Sequence, residues 1–554
     1  MVLRRFRVVV VVAALTVVAA LLMVVWPVTV PTSSSAAVPR VTTALWSAWP
    51  VTFYFGLARQ DGLAMAQLVQ SSDRAQPGFR QWLTSEQVAS SFGAPPSSRA
   101  AVNNWFGARG FTTAVDSTAS YVSVTGPAQL WESVFGQSLA ASNTDISGDL
   151  SGTGFSWATT PAVLPVEVGQ YLNPNEYVWT YFTSQLLPSA SAVRGDVAPP
   201  ANEGTWGRIC RAAKNAGAKN GVYSFGQVAR AYGFDSVQRA AHAGNGVSVG
   251  IMTAGSGVDG SSTRAAEKCW GWPQRATRFV LASGQSAPAQ MYYTGFHEPS
   301  LDSQMIRGFL PKAQLVNYQT WVSPNQWFLA ASALATDPGR PAVASFSYGV
   351  CTTIDSVPPL FDALTLRLGL MGTAVSVSSA DEGAYPCFGK KPSVQWPASS
   401  PTVLAVGGTR LTVTRGNKRA AEVAWNDFQW LTAGNAGGAS GGGFTSTYGR
   451  PIWQGAPGLA AGTQRAVPDL AAHASRLPGW PIVVASGRKK YWTQNSGTSA
   501  ASPLVAAELA AINAINVARG SGPIGFVAPD LYRLARQSRW CTRVGAALSP
   551  RFRE

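Results

Sequence analysis

Residues Ala342–Ser379, with the sequence AVASFSYGVCTTIDSVPPLFDALTLRLGLMGTAVSVSS, contain two apolar runs of strand length separated by a longer helical stretch. Similar runs occur on both sides of this segment, namely VSVGIM (247–252), AQLVNYQ (313–319) and TVLAVGG (402–408). Apolar strands that alternate with helices are typical of a parallel sheet covered by helices on both faces. The sequence therefore predicts an α/β fold for the C-terminal part of the chain.

The residues before this part follow a different pattern. Residues 48–185 mix helical patterns with short strand-like runs such as YVSVTG (121–126), which predicts a smaller α+β domain. The following segment LLPSASAVRGDVAPPANEGTWGR (186–208) is rich in Pro, Ala, Ser and Gly and has no apolar period. We interpret residues 186–214 as an exposed linker and residues 215–554 as the second domain.

The first residues of the chain have the features of an export signal. Three arginines within the first seven residues precede an apolar run from Val8 to Trp26 that is interrupted only by Thr16. This run of 19 residues lies between the usual core of a signal peptide, about 7 to 15 residues, and a membrane span of about 20. Residues 1–37 are therefore predicted to be a signal peptide or a membrane anchor, with the rest of the chain exported.

The net charge and the number of cysteines limit which binding partners and which disulfides can be expected. The formal net charge of +16 favours an anionic membrane or cell-wall surface, but the basic residues are scattered, and no block of them suggests nucleic-acid binding. Export permits disulfides, and an odd count of five cysteines leaves one unpaired. Cys351 and Cys387 each follow an apolar run, so we pair these two first, Cys210 with Cys269 second, and leave Cys541 free.

The segment SGTSAASPLVAA (496–507) places Ser499 before an alanine-rich run that is predicted to be a helix over Ala500–Val517. A serine at this position lies near the positive end of the helix dipole, which favours developing negative charge, although a turn with a helix cap has the same sequence. Pro503 is predicted to lie within the first turn of this helix, where a proline is tolerated.

A nucleophilic serine needs a base that accepts its proton, and the usual base is histidine. His242, His297 and His473 are the three histidines, and none is in an HGT-like string such as a subtilisin-type enzyme would need. The histidine contexts therefore disfavour a histidine-dependent enzyme.

The segment GFHEPSLDSQMIRGF (295–309) contains a possible alternative base. Pro299 suits the first turn of a helix, and Glu298 and Asp302 are four residues apart, so both carboxyl groups point from one face. This face also carries apolar residues, whereas two acids at a helix N-terminus could instead only complement its dipole. Buried paired carboxyls have raised pKa values and share a proton, which makes them an acid/base pair for acidic pH.

Several strings along the chain resemble the sedolisin family, the serine-carboxyl peptidases, and they follow the order of that family. In the C-terminal part these strings are VYSFGQVARAYGF, HEPSLD, AVASFSYG, VSVSSADEGA, SPTVLAVGGTRL, SGGGFTSTYGRPIWQ, RAVPDLAAHA and SGTSAASPLVAA. In the N-terminal part, FRQWLTSEQVASSFGAP and VNNWFGARGFTTAV resemble the activation propeptide of these enzymes. The resemblance implies a subtilisin-like fold after a propeptide, with a zymogen cleavage site in the linker.

The resemblance also implies roles for four residues. Ser499 matches the nucleophile, Glu298 the general base, Asp302 the acid that orients the base, and Asp381 the aspartate of the oxyanion hole. A carboxylic acid can donate a hydrogen bond to an oxyanion only while it is protonated. Ala380 stands where the family usually has Gly, which we expect to narrow the approach to Asp381.

The family usually has a calcium site near its C-terminus, but no ligand segment for calcium is recognised after VAPDLYRLARQ (527–537). We identify no cofactor and leave the metal ligands open. The predicted function is an exported, acid-active serine-type endopeptidase that is made as a zymogen and acts on polypeptides. The alternative is a catalytically impaired family member that acts as a membrane-associated binding protein.

Overall fold

The computed structural model describes residues 50–74, 76, 78–136, 139–141, 155–157, 164–181, 206–216, 221–255, 257–282, 298–320, 326–351, 357–387, 391–428, 438–455, 462–486 and 489–536. The predicted signal or anchor (1–37), most of the predicted linker, His297 and Cys541 lie outside these residues.

The N-terminal domain is an α+β structure, as its mixed pattern predicts. Its elements are β1 (Pro50–Leu57), α1 (Asp61–Ser71), α2 (Ser85–Phe92), α3 (Pro96–Gly107), β2 (Thr112–Val115), β3 (Tyr121–Pro127), α4 (Ala128–Phe135), β4 (Leu139–Ala141), β5 (Phe155–Trp157), α5 (Val166–Gly169) and β6 (Leu172–Tyr181). Strands β2, β3, β1 and β6 form an antiparallel sheet in that order. Buried aromatic rings such as those of Phe53 and Trp131 form its core, where they lie 4.3 Å apart.

The second domain contains the elements from residue 206 onward. They are α6 (Trp206–Ala216), α7 (Phe225–Ala231), α8 (Phe234–Ala240), β7 (Ser248–Ala254), α9 (Gly260–Trp270), β8 (Arg278–Leu281), α10 (Glu298–Phe309), β9 (Gln314–Thr320), α11 (Phe328–Thr336), β10 (Val343–Phe346), α12 (Val357–Leu370), β11 (Ala374–Ser378), β12 (Leu404–Val413), β13 (Arg419–Ala424), β14 (Gly443–Gly449), β15 (Gln464–Val467), β16 (Leu470–His473), β17 (Trp480–Ser486), β18 (Lys489–Asn495), α13 (Thr498–Ala518) and α14 (Ala528–Ala535).

The predicted parallel sheet is confirmed. Its strand order is β13-β12-β11-β10-β7-β9-β8, β16 also pairs with β12, and among these described strands only β13 pairs antiparallel. Helices cover both faces, as adjacent residues of β10 show. The Ser345 hydroxyl lies 2.9 Å from that of Ser502 in α13, whereas the Phe346 ring packs on Phe361 of α12. Successive side chains of a strand point to opposite faces, so α13 and α12 lie on opposite sides of the sheet.

The N-terminal domain packs on the α11–α12 side of the second domain. Tyr121 of β3 forms a hydrogen bond of 2.7 Å with Ser332 of α11, and Asp61 of α1 forms an ion pair with the buried Arg367 of α12. The Trp82 indole N–H donates to the carbonyl oxygen of Pro523 at 2.9 Å. Helix α11 is therefore buried on all sides, which explains why its sequence is apolar without a polar face.

One part of the predicted linker has a different structure. Residues 206–214 belong to helix α6, in which Ala213 is buried and Cys210 is bonded to Cys269 of α9. The linker was assigned from its composition alone, and this prediction is wrong for residues 206–214. The two predicted disulfides, Cys210–Cys269 and Cys351–Cys387, are confirmed.

Helix α13 is the described helix that is long and apolar enough to span a membrane. It packs against α10 and strands β10, β11 and β12, and 67% of its most apolar window is buried inside the protein. Its apolar sequence is therefore explained by its place in the core.

Candidate active site

The four predicted site residues lie in or directly after three elements, α10, β11 and α13, near the carboxyl edge of the parallel sheet. Asp381 follows β11, Ser499 is the second residue of α13, and Ser347, which follows β10, contacts both Ser499 and Asp302 of α10. Ligand sites of open parallel sheets lie at this edge, because the loops that follow the strands converge there. The sequence-predicted residues are thus brought to one place by three separate elements, and β10 adds Ser347.

The helix that carries Ser499 begins two residues earlier than predicted, so Ser499 is its second residue. Helix α13 starts at Thr498 rather than at Ala500, and Gly497 before it has φ 105°. A Cβ atom at residue 497 would lie 2.6 Å from Oδ2 of Asp381, so a side chain is excluded at this position. Pro503 consequently lies in the second turn of the helix, and its first-turn placement is wrong.

Glu298 and Asp302 lie on one face of α10, as their spacing predicts. Asp302 is fully buried, and its Oδ1 accepts a hydrogen bond of 2.8 Å from Ser347 Oγ. Oε1 of Glu298 and Oδ2 of Asp302 are buried and accept no hydrogen bond from the described residues. One proton held between the two carboxyl groups would satisfy both oxygen atoms.

Burial raises the pKa of both carboxyl groups well above their ordinary values. For Glu298 a hydrogen bond with Ser499 opposes this rise and the nearby Asp381 adds to it. For Asp302 the charge of Glu298 adds to the rise, and the hydrogen bond from Ser347 opposes it. The pair therefore retains a proton at pH values at which exposed carboxyl groups are ionised.

The Ser499 hydroxyl is held only loosely by the protein backbone. Its Oγ lies 3.5 Å from the carbonyl oxygen of Ser347, which is long for an O–H···O hydrogen bond, so this contact does not hold the proton that Ser499 can donate to Glu298. A weakly held hydroxyl beside a carboxyl group can transfer its proton to that group when its oxygen attacks an electrophile.

Asp381 is fixed to the N-terminus of α13. Its Oδ1 accepts hydrogen bonds from the Thr498 backbone N–H at 2.8 Å and from Thr498 Oγ1 at 2.7 Å. Burial raises the pKa of Asp381, while these two hydrogen bonds lower it and the charge of Glu382 raises it. Because Oδ1 accepts two hydrogen bonds, the proton of the acid form belongs on Oδ2.

Ala380 adopts a backbone conformation that usually requires glycine, with φ 87°. We expected Ala380 to narrow the approach to Asp381, but the structure shows in addition an unfavourable backbone conformation at this residue. The methyl group of Ala380 is buried, and the strain lies in the backbone of the turn that presents Asp381.

The histidines within the described residues are not placed to serve as the base. His473 is fully buried in β16, where Nδ1 accepts from the Leu411 N–H at 3.2 Å and Nε2 lies 3.0 Å from the carbonyl oxygen of Pro478. Burial lowers the pKa of His473 to about 4. His242 is exposed and precedes β7, at the opposite edge of the sheet from Ser499.

The part of the chain that the structure describes contains no group of three or more His, Cys, Asp or Glu side chains arranged to hold a metal ion. Residues 537–554 lie outside that part, so the predicted lack of a C-terminal calcium segment is not tested by it.

Sequence reasoning missed three residues of this site. Ser347 contacts Asp302, Thr498 holds Asp381, and Tyr348 lies beside Glu298 and Asp302, whose charges add to the effect of burial in raising the pKa of its phenol. Their position in the sequence could have identified them, because Ser347 and Tyr348 directly follow a buried strand and Thr498 directly precedes Ser499.

Comparisons with known proteins match both the N-terminal and the C-terminal part of the chain. The family model "Pro-kumamolisin, activation domain" matches residues 42–173, and the model "Subtilase family" matches residues 293–518. Kumamolisin from Bacillus sp. (strain MN-32) is 32% identical over 251 residues, which are 43% of this chain and 42% of kumamolisin. Sedolisin from Pseudomonas sp. (strain 101) is 32% identical over 255 residues, which are 43% of this chain and 41% of sedolisin. The chain thus spans about two-fifths of the length of these relatives.

A solved structure of Pseudomonas sedolisin, complexed with two molecules of pseudo-iodotyrostatin, matches 54% of this chain and 81% of that chain with a TM-score of 0.47 and 27% identity. The parallel sheet and the subtilase match define a subtilisin-like fold, as predicted. With a match to the pro-kumamolisin activation domain before this fold, the chain is similar over both parts to members of the sedolisin family.

Proposed function

We propose that this protein is an exported, acid-active serine-type endopeptidase made as a zymogen, with polypeptides and its own propeptide as its partners. The observation that carries the proposal is the pair of buried carboxyl groups of Glu298 and Asp302 next to Ser499 at a helix N-terminus. This arrangement contains a nucleophile, a base and a group that holds the base, and it needs no histidine.

In the proposed reaction, Ser499 Oγ attacks the carbonyl carbon of a peptide bond and its proton passes to the Glu298 carboxylate. The C–N bond then breaks, the amine leaves with the proton from Glu298, and an acyl-enzyme remains on Ser499. Water hydrolyses the acyl-enzyme by the reverse proton path. Asp302 holds the Glu298 carboxyl group, and the protonated Oδ2 of Asp381 donates a hydrogen bond to the oxyanion.

Labelling with a fluorophosphonate tests this assignment, because the reagent modifies only an activated serine. We expect wild-type protein at acidic pH to be labelled on Ser499, and Ser499→Ala to be unlabelled. Glu298→Gln should react several orders of magnitude more slowly, since an amide cannot accept the serine proton. Labelling of Glu298→Gln at the wild-type rate would exclude the proposed base.

Zymogen processing is the second test. We expect wild-type protein at acidic pH to be cut between about Leu186 and Val222, and N-terminal sequencing would locate the cut. Because Cys210 is bonded to Cys269, a cut after α6 would leave this helix attached to the catalytic domain until the disulfide is reduced. Ser499→Ala that processes itself at the wild-type rate would exclude autocatalysis.

The place of action is proposed from the predicted signal in residues 1–37, which directs the catalytic domain out of the cytoplasm either free or anchored. A peptide library digested at acidic pH would show by its product lengths whether cleavage is internal. The same digest separates the peptidase from a catalytically impaired binding protein, which would leave the library intact.

A further inference from the structure

Pro503 leaves a specific gap in the hydrogen bonding of helix α13. Proline has no N–H group, so the carbonyl oxygen of Ser499, four residues earlier, lacks its regular helical donor. The hydroxyl of Ser347 lies 3.4 Å from that carbonyl oxygen. A side chain from the end of β10 thus reaches the backbone of the nucleophile.

The same hydroxyl makes a shorter contact with Asp302. Ser347 Oγ donates to Oδ1 of Asp302 at 2.8 Å, and both residues are buried. A hydroxyl has one proton, so it can donate to only one acceptor at a time. The distances indicate that Asp302 is the preferred acceptor while its carboxyl group is ionised.

We propose that Ser347 is a positioning residue that holds the carboxyl group of Asp302 and links it to the backbone of Ser499. The proposal rests on the proposed peptidase function. When Asp302 is ionised, Ser347 donates to Oδ1. When Oδ1 carries a proton, that proton can be donated to Ser347 Oγ, which frees the serine hydroxyl to turn toward the Ser499 carbonyl oxygen.

The surroundings of Asp302 determine how far its protonation depends on Ser347. Glu298 on the same helix and Tyr348 after β10 are the titratable groups next to it. The charge of Glu298 disfavours the ionised form of Asp302, whereas the phenol of Tyr348 stays neutral because burial raises its pKa well above the ordinary value. At the other end of α10, Arg307 forms a buried ion pair of 3.1 Å with Glu267 of α9. Among the described residues, the Ser347 hydroxyl is therefore the donor that stabilises the ionised form of Asp302.

The sign of the expected effect follows from the role of the donor. Loss of a donor to a carboxylate disfavours the ionised form, so Ser347→Ala should raise the pKa values of the Glu298/Asp302 pair. The base then becomes protonated at higher pH, and the acidic limb of the kcat/KM profile should move upward by about one pH unit. We also expect kcat to fall about tenfold with little change in KM, because Ser347 is not expected to bind substrate.

Two further variants make the test specific. Ser347→Thr retains the hydroxyl and should return the acidic limb to its wild-type position. Ser345→Ala is a matched control, since Ser345 is a buried serine of β10 that bonds to Ser502 of α13 and makes no hydrogen bond to Asp302. Ser345→Ala should lower the free energy of unfolding without moving the acidic limb of the kcat/KM profile. Equal limb positions in Ser347→Ala and Ser345→Ala would overturn the proposal.

A titration that does not need activity separates this proposal from the proposed function. In a Ser499→Ala background, infrared difference spectra follow protonation of buried carboxyl groups, and Ser347→Ala should shift one midpoint upward by about one pH unit. An unmoved midpoint would refute the role of Ser347 even in an active enzyme. Absence of fluorophosphonate labelling in wild-type protein would refute the peptidase function and leave the infrared result to decide the role of Ser347.

Discussion

Replacement of Asp381 by asparagine would separate its two properties, its position and its proton. In the structure Oδ1 accepts hydrogen bonds from both the N–H and the hydroxyl of Thr498. The amide oxygen of an asparagine can accept the same two bonds, which places the amide nitrogen where Oδ2 lies. The Asp381→Asn variant thus keeps the geometry and replaces an O–H group that titrates by an N–H group that does not.

The expected magnitudes follow from the surroundings of Asp381. Burial raises its pKa, so the acid form extends above the pH range of an exposed aspartate, and wild-type protein loses its donor as pH rises through this raised pKa. Beyond that point a rate that depends on the donor falls about tenfold per pH unit. Complete removal of an oxyanion donor costs about 100- to 1000-fold, which we expect for Asp381→Ala at acidic pH. Asp381→Asn should lose only about tenfold there, because it retains a weaker donor.

The measurement is kcat/KM for the three proteins from acidic to neutral pH, with unfolding followed at each pH as a control. We expect the Asp381→Asn profile to decline less steeply toward neutral pH than that of the wild type. The remaining decline belongs to the Glu298/Asp302 pair, which loses its shared proton in the same direction. A profile of Asp381→Asn that runs parallel to the wild type, with a uniform loss, would refute the role of the Asp381 proton.

Four other changes test the fold around the site. Ala380→Gly should raise the free energy of unfolding in urea by less than about 1 kcal/mol, because it relieves about 1–2 kcal/mol of backbone strain at φ 87° and loses about 0.8 kcal/mol from burial of the methyl group. A clear decrease in the free energy of unfolding would contradict the strain. The backbone N–H of Leu83 donates to the carbonyl oxygen of Leu370, and Trp82→Ala in a Ser499→Ala background should speed hydrogen exchange of this amide about 30-fold or more. The control is Trp105→Ala, which should leave this exchange rate unchanged because the Trp105 ring packs on Phe106 and Arg109 instead. Burial lowers the pKa of His473 from 6.5 to about 4, so the wild-type protein loses stability as pH falls through this window. The free energy of unfolding of His473→Gln, measured in urea titrations, should therefore gain about 3 kcal/mol relative to wild type between pH 7 and pH 4. A difference between the two proteins that stays constant with pH would contradict the burial of His473. Added calcium should leave the melting temperature unchanged, and a rise would reveal ligands that the sequence reading missed.

The parallel sheet could be predicted because its signal is local. Strands β10 and β11 are buried at every position and contain only apolar residues and serine, and the connecting helix lies between them in the sequence. The start of α10 at Glu298 was predictable for a similar reason, since Pro299 favours the first turn. The start of α13 was not, because Thr498 is held in the helix by hydrogen bonds to Asp381, 117 residues away.

The site was predictable where the chemistry is unusual in its local context. Two acids on the apolar face of a helix are conspicuous, and the spacing and apolar neighbours of Glu298 and Asp302 predict that both lie on one buried face. Ser347 is an ordinary serine after a strand, and its contacts to Asp302 and Ser499 join residues 45 and 152 positions apart. Helix α6 was missed for another reason: residues 186–214 were assigned as a linker from their composition, although the disulfide that joins Cys210 to Cys269 of α9 was predicted.

Ala380 shows why a departure from a family pattern must be interpreted through the backbone. The N–H of Gly441 donates to the Ala380 carbonyl oxygen at 2.7 Å, and Ser379 Oγ donates to the Gly441 carbonyl oxygen at 2.8 Å. These two bonds fix the turn on both sides of residue 380, so the chain keeps the left-handed conformation even where an alanine makes it unfavourable by about 1–2 kcal/mol. The same turn places the carboxyl group of Asp381 against the N-terminus of α13. The strain is therefore retained because the bonds that hold Ala380 also hold the group that we propose to stabilise the oxyanion.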